Sequence, residues 1–182
     1  NTVLLVPLAR PLAPGASAEI TLSFLGRAAT PPPGSEFSSE TEYGLLLKSS
    51  HAFTLTAFYP SVAPYTEEGW AIDPVSALGD ALFADSATYD VTLRVESEVT
   101  VIPTADEVVV EPDGRTLHSF HRGALRDFPL VLVDDGRQPL VTTADGITLR
   151  SWFSPQHAQA ADIALQRGGA AIEVFSSRFG AL

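Results

Sequence analysis

A mainly β fold is predicted: an antiparallel β-sandwich or saddle-like N-terminal domain, followed by a β-hairpin and one α-helix. Two observations predict it. First, short segments that alternate apolar and polar residues, or run apolar throughout, recur between Pro and Gly turns. Their spacing of roughly 8–12 residues, giving about ten strands, is that of antiparallel sheets. Second, the period changes once, at Ser154-Pro155, and is helical from there on.

Taken in order, residues 2–8 form an apolar run closed by Pro11, Pro14 and Gly15. Residues 17–25 alternate, with Ala18, Ile20, Leu22 and Phe24 opposite Glu19, Thr21 and Ser23, which predicts a half-buried strand. Residues 26–41 hold Pro31-Pro32-Pro33-Gly34 and several serines and read as an exposed loop. Residues 43–48 and 52–57 are strands of a hairpin across Ser49-Ser50-His51. Residues 58–95 then combine an aromatic, acidic, proline-broken loop with the alternating strand Tyr89, Val91, Leu93, Val95. A loop of that length inside a compact domain is functional or disordered, and its aromatics argue against disorder.

Residues 99–102 and 108–110 are short strands, and Glu111-Pro112-Asp113-Gly114 is a turn. Residues 117–121 are extended, and the unbroken apolar run 130–133 is a strand covered on both faces. Residues 139–143 and 147–153 make a hairpin around Ala144-Asp145-Gly146, where Asp-Gly favours a primed turn. Ser154 caps a helix with Pro155 at its first position. Ala160, Ile163, Ala164, Ala171, Ile172, Phe175 and Phe179 give residues 155–178 one apolar face. Gly168-Gly169 costs about 1 kcal/mol per Gly relative to Ala but permits close packing, and Gly180 is the stop.

The chain has 182 residues, enough for one domain, or one and part of another. Its net charge of −11, with only 11 Lys and Arg spread thinly, disfavours nucleic acid, whose phosphates require clustered cations. The same balance disfavours an anionic membrane, and solubility is the plain reading of the acid. There is no cysteine, hence no disulfide, thiolate nucleophile or Cys-based zinc site. No apolar run approaches the roughly 20 residues that span a bilayer. No basic segment followed by an apolar one marks a signal peptide, and since the chain holds no Met, its first residue is not expected to be a gene's start.

Chemistry-bearing clusters are few. His118 and His121, three apart on a strand, point to opposite faces, and no third metal ligand accompanies them. Glu67, Glu68, Asp73, Asp80 and Asp85 crowd one stretch without the spacing of a calcium loop and read as solvated loop acids. Tyr59, Tyr65, Trp70 and Phe83 line a sugar or peptide groove or pin the loop to the sheet, pinning being the favoured reading. Arg126-Asp127-Phe128 reads as a local ion pair leading into a buried strand. There is no H-E-x-x-H, Gly-rich phosphate loop or G-x-S-x-G elbow.

Three blocks nevertheless carry a resemblance. The first is Phe58-Tyr59-Pro60, Glu67-Glu68-Gly69-Trp70, Gly79-Asp80-Ala81-Leu82-Phe83 and Tyr89-Asp90-Val91-Thr92-Leu93. The second is Arg126-Asp127-Phe128 before an apolar strand, and the third the hairpin and helix ending Phe175-Ser176-Ser177-Arg178-Phe179-Gly180. In this order they resemble the N-terminal half of zinc aminopeptidases of the aminopeptidase N type (gluzincins), in a bacterial branch. The resemblance departs at Thr104-Ala105, where many relatives have Thr-Gly.

The resemblance implies residues 1–134 as the family's N-terminal β-domain, lacking its first strands, and 135–182 as the start of a thermolysin-like catalytic domain. It implies no catalytic residue and no metal ligand in this chain. Zinc would belong to the full-length parent, held by H-E-x-x-H and a downstream Glu. The partners implied are the chain's own downstream catalytic domain and, in the parent, a peptide substrate. The apolar face of the 155–178 helix would meet that domain or a second copy. Glu67, Trp70 and Asp80 are the residues expected at the edge of the substrate cleft, and a secreted or membrane-anchored location is favoured over a cytoplasmic one. The rival readings are a stand-alone β-sandwich module binding sugar or protein, and the scaffold of a catalytically inactive relative.

Overall fold

The computed structural model describes residues 3–28, 46–48, 51–72, 84–134 and 139–181. Within them the chain is mainly β, with several antiparallel sheets and one C-terminal helix. One sheet has four strands, Leu46–Lys48 (β1), Ala52–Leu55 (β2), Val99–Ile102 (β6) and Leu130–Asp134 (β9), in the order β1-β2-β9-β6. A second has three, Ala87–Glu96 (β5), Glu107–Val110 (β7) and Arg115–Leu125 (β8), in the order β5-β8-β7. Between β2 and β5 lies a two-stranded hairpin, Tyr65–Thr66 (β3) and Gly69–Trp70 (β4). Leu140–Ala144 (β10) and Ile147–Ser151 (β11) form another before the helix, Ala158–Phe179 (α1).

The two larger sheets face each other across one core. Val101 of β6 and Leu130 of β9 meet Phe120 of β8 and Phe128, the residue two before β9. Leu55 and Leu132 join from the first sheet, and Tyr89, Val91, Leu93 and Val95 from the second. The even spacing of those four β5 residues matches the alternating burial of the strand, so the period-2 signal in the sequence is the inner face of a sandwich. The pairing of β1 with β2 places the expected hairpin across 49–51, with Leu46 opposite Leu55; residues 43–45 lie outside the described residues.

Local turn chemistry sets the other registers. Asp145 (φ 48°) and Gly146 (φ 78°) both adopt left-handed backbone between the paired Ala144 and Ile147. That is the primed two-residue turn that Asp-Gly favours. At the β7–β8 turn the Gly114 amide donates to Glu111 O at 3.0 Å and the Glu111 amide to Arg115 O at 2.8 Å.

Two expectations are corrected. Residues 17–25 are not a strand: they pair with no described strand, and Ile20, Leu22, Phe24 and Leu25 are exposed. Alternation supplies one apolar face, but a strand also needs a neighbour for its amides and carbonyls, and the described residues provide none. The loop expected over 26–41 lies largely outside the described residues.

The second correction concerns the helix. It begins with a 3-10 turn over Pro155–His157, Ser154 standing at the cap position in extended conformation. It ends at Gly180 (φ 100°), whose amide donates to Ser176 O. The face packed on β10 and β11 carries Ala161, Leu165 and Gly169. Ala160, Ile163, Ala164, Phe175 and Phe179, expected on the packed face, are exposed. Apolar residues occupy more than one side of this helix, so periodicity alone did not select the contact. The glycines select it. A Cβ on Gly168 would stand 2.9 Å from Leu149 Cδ2, and one on Gly169 would stand 3.5 Å from Ala144 Cβ. Among the described residues no helix is long and apolar enough to cross a membrane.

Candidate functional site

Tyr59 is where distant parts of the sequence meet. It leaves β2 at the foot of the aromatic loop, yet its hydroxyl donates to Asp127 Oδ1 at 2.7 Å, 68 residues away. The Phe128 amide donates to the same phenol oxygen at 2.9 Å and to Asp127 Oδ1 at 2.7 Å. Tyr89 of β5 closes the group: its hydroxyl donates to Arg126 O at 3.3 Å, and its ring lies 5.7 Å from Tyr59 and 5.8 Å from Phe128. Phe58 meets Tyr59 edge to face at 5.1 Å. Burial, with Tyr89 and Asp127 beside the hydroxyl, pushes the Tyr59 phenol well above its usual range. It stays a proton donor at any physiological pH.

The local Arg126–Asp127 ion pair expected from sequence is therefore replaced. The Asp127 carboxylate is taken by Tyr59 and by its neighbour's amide. Tyr59→Phe is expected to cost about 1–3 kcal/mol, the usual range for stripping a part-buried acceptor and amide of a partner. Urea unfolding of Tyr59→Phe, Asp127→Ala and the double variant measures it. The two single losses should sum to more than the loss of the double variant, as for residues in one network.

The expected cleft-edge residues are divided by the structure. Glu67 occupies the turn of the β3–β4 hairpin and Trp70 its second strand, so these two are brought together. Asp80 lies outside the described residues, as do Asp73 and Phe83. Trp70 pairs across the ladder with Tyr65, and their rings meet edge to face at 5.0 Å and 77°. They do not pin the loop to the sheet: Trp70 is 58% and Tyr65 70% exposed. Pinning is done by Tyr59 and Phe58, which pack on the core.

The hairpin is nonetheless well built. Thr66 Oγ1 donates to Gly69 O and accepts from the Glu68 amide, both at 3.2 Å. Gly69 holds φ 108°, a conformation that a side chain would strain. The Ala71 amide donates to the carbonyl of the buried Pro64 at 2.9 Å, fixing the hairpin's base.

His118 and His121 take opposite faces of β8, as strand parity requires. His118 lies half-buried opposite Leu93, its Nε2 3.1 Å from Thr116 Oγ1. His121 is exposed, with Nδ1 2.5 Å from Asp90 Oδ1. Burial lowers the His118 pKa, while the hydrogen bond to Asp90 raises that of His121. The linkage signs are therefore opposite. His121 contributes stability below its unfolded pKa of about 6.5, lost as pH rises through the folded value; His118 contributes above about 6.5, lost as pH falls toward its lowered value. NMR titration of the imidazole carbons is expected to place His118 below and His121 above 6.5 on the pH scale, and Asp90→Asn is expected to bring only His121 down.

Next to His121, Asp106 joins the β6–β7 link to β8. It accepts from Arg122 Nη1 at 2.6 Å and from the His121 amide at 2.7 Å, which hold its carboxyl below the usual range. These are surface ties, screened by the surrounding solvent. Among the described residues no three His, Asp or Glu side chains are grouped to hold a metal ion.

An open groove of about 360 Å³ lies where β6, β7 and β8 approach Pro139, Arg150 and Trp152. His118, Thr100 and Thr104 are its other polar residues. It separates the sandwich from the final hairpin rather than gathering reactive groups. Compared with known proteins, the chain matches no family model, no curated protein and no solved structure.

Proposed function

We propose that the chain is the non-catalytic N-terminal β-domain of a zinc aminopeptidase of the aminopeptidase N type, with the first hairpin and helix of its catalytic domain. In this role it shapes and covers the peptide-binding cleft. The observation that carries the reading is the meeting at Tyr59. The Phe58-Tyr59-Pro60, Tyr89-Asp90-Val91-Thr92-Leu93 and Arg126-Asp127-Phe128 blocks are far apart in the chain, yet their aromatic and carboxylate groups form one hydrogen-bonded cluster. Residues that share one structural task account for a motif set whose members are individually weak. The division into 1–134 and 135–182 belongs to the same proposal, with α1 packed on β10–β11 and its exposed Phe175 and Phe179 turned to the catalytic domain.

The test is to assay aminoacyl anilides with residues 1–182 alone and with the chain extended by whatever coding sequence follows Leu182. Hydrolysis by the longer chain, abolished by a zinc chelator, with none from residues 1–182, is the expected result. Zinc-dependent hydrolysis by residues 1–182, or downstream sequence without H-E-x-x-H, overturns the reading.

A specific observation favours a second reading, a stand-alone β-sandwich binding module. Such a module presents aromatic side chains to solvent, and the rings of Trp70 and Tyr65 are exposed.

A further inference from the structure

The β3–β4 hairpin pairs only Tyr65 with Trp70 and Thr66 with Gly69. Two ladder pairs make a marginal hairpin in water, yet this one is fixed by Thr66, Gly69 and the buried Pro64. It holds two large rings mostly in solvent, with Val62 and Ile72 exposed on either side in sequence. Exposed contiguous apolar surface rimmed by polar groups marks an interaction site, and Tyr and Trp are the residues that anchor one. Two features fix the kind of partner. Glu67 and Glu68, both exposed, stand at the turn between the rings, and no ion pair engages them among the described residues. The whole chain carries a net charge of −11, a field that draws cations. The rings cross at 77° and so offer no continuous flat shelf along which a sugar would stack. A guanidinium or ammonium needs only the face of one ring, Trp being the best, and carboxylates beside it.

We infer that the hairpin Tyr65–Trp70 docks a basic peptide segment, an arginine or lysine side chain lying on the Trp70 or Tyr65 ring beside Glu67 and Glu68. This gives the second reading above its ligand class, and it holds equally for an accessory surface on a peptidase domain. Its failure is distinguishable from failure of the peptidase reading, which is decided by chelator-sensitive hydrolysis.

The experiment titrates the full chain by NMR, following the indole N–H of Trp70, one of two tryptophans, and the amides of Thr66 to Gly69. The probes are a short Gly/Arg peptide, the same peptide with citrulline for every arginine, and a neutral glucose hexasaccharide. Saturable shifts with the arginine peptide alone are expected. They should fade as salt rises from about 0.01 M to about 1 M, where the screening length shrinks from about 30 Å to about 3 Å. Glu67→Gln with Glu68→Gln, which keeps both rings and the turn, should weaken binding about threefold to tenfold. Trp70→Leu should weaken it about threefold to fivefold. Three results overturn the inference: no saturable shift with the arginine peptide, equal binding of the citrulline peptide, or undiminished binding by the double Gln variant. Binding of the hexasaccharide in preference to the arginine peptide overturns it in favour of a sugar site.

Discussion

Phe128→Ala is expected to destabilise the chain by about 3–5 kcal/mol, the range for truncating a buried aromatic. That is a large part of the roughly 5–15 kcal/mol by which a domain is stable, and urea unfolding followed by tryptophan emission reads it directly. Phe128 is 1% exposed and touches both layers of the sandwich. Its ring stacks with Tyr89 at 5.8 Å and meets Phe120 edge to face at 5.3 Å. Such aromatic pairs add about 0.5–1.5 kcal/mol each beyond area burial, which places the expected loss toward the top of the range. A cavity there would also loosen the Phe128 amide's bonds to Tyr59 and Asp127. Phe179→Ala is the control: at 82% exposure on the helix end, it should change stability by no more than about 0.5 kcal/mol. Equal losses from the two variants would contradict the core described here.

The contrast between these phenylalanines shows what sequence can and cannot say. Period-2 alternation over 89–95 and the Asp145-Gly146 turn are local properties, encoded in sterics within a few residues, and the fold has them where expected. The opposite facing of His118 and His121 follows from strand parity alone and is equally legible. Partner choice is different, because it depends on what arrives from elsewhere in the chain. Residues 17–25 have the alternation of a strand and no described neighbour to pair with. The α1 sequence is apolar on more than one side, and only the close approach allowed by Gly168 and Gly169 decides which side the hairpin covers. Asp127 sits beside Arg126 in sequence and bonds Tyr59 instead, since a part-buried phenol and amide outcompete a solvated guanidinium.

The candidate site divides along the same line. Glu67 and Trp70 fall on one hairpin where the sequence reads only as a proline-broken loop, because its strands are two residues long and too short to show a period. Their exposure is not foretold: Tyr59 and Tyr65 are the same residue type six positions apart, and one enters the core while the other faces solvent. What distinguishes them is the distant acceptor. A tyrosine enters a core when its hydroxyl finds a partner there, and only Tyr59 has Asp127 within reach.

Leu130→Ala is the second large expectation, at about 2–5 kcal/mol. Leu130 is fully buried at the start of β9, the strand between β2 and β6, and lies opposite Leu55 in the β2 ladder. In sequence Leu130-Val131-Leu132-Val133 is uniformly apolar, so nothing in the run says which residues face the second sheet. The structure assigns Leu130 and Leu132 to the shared core and leaves Val131 and Val133 half-buried on the other face. Alanine at each of the four positions should therefore give an alternating series of unfolding free energies. Leu130 should lose most and Leu132 next, because a residual cavity adds to the lost transfer energy only where the surroundings cannot collapse or admit water. Val131 and Val133 should each lose nearer to 1 kcal/mol, the typical value for a single substitution. A flat series would mean that β9 is covered equally on both faces, and with it the two-layer packing of this sandwich would have to be given up.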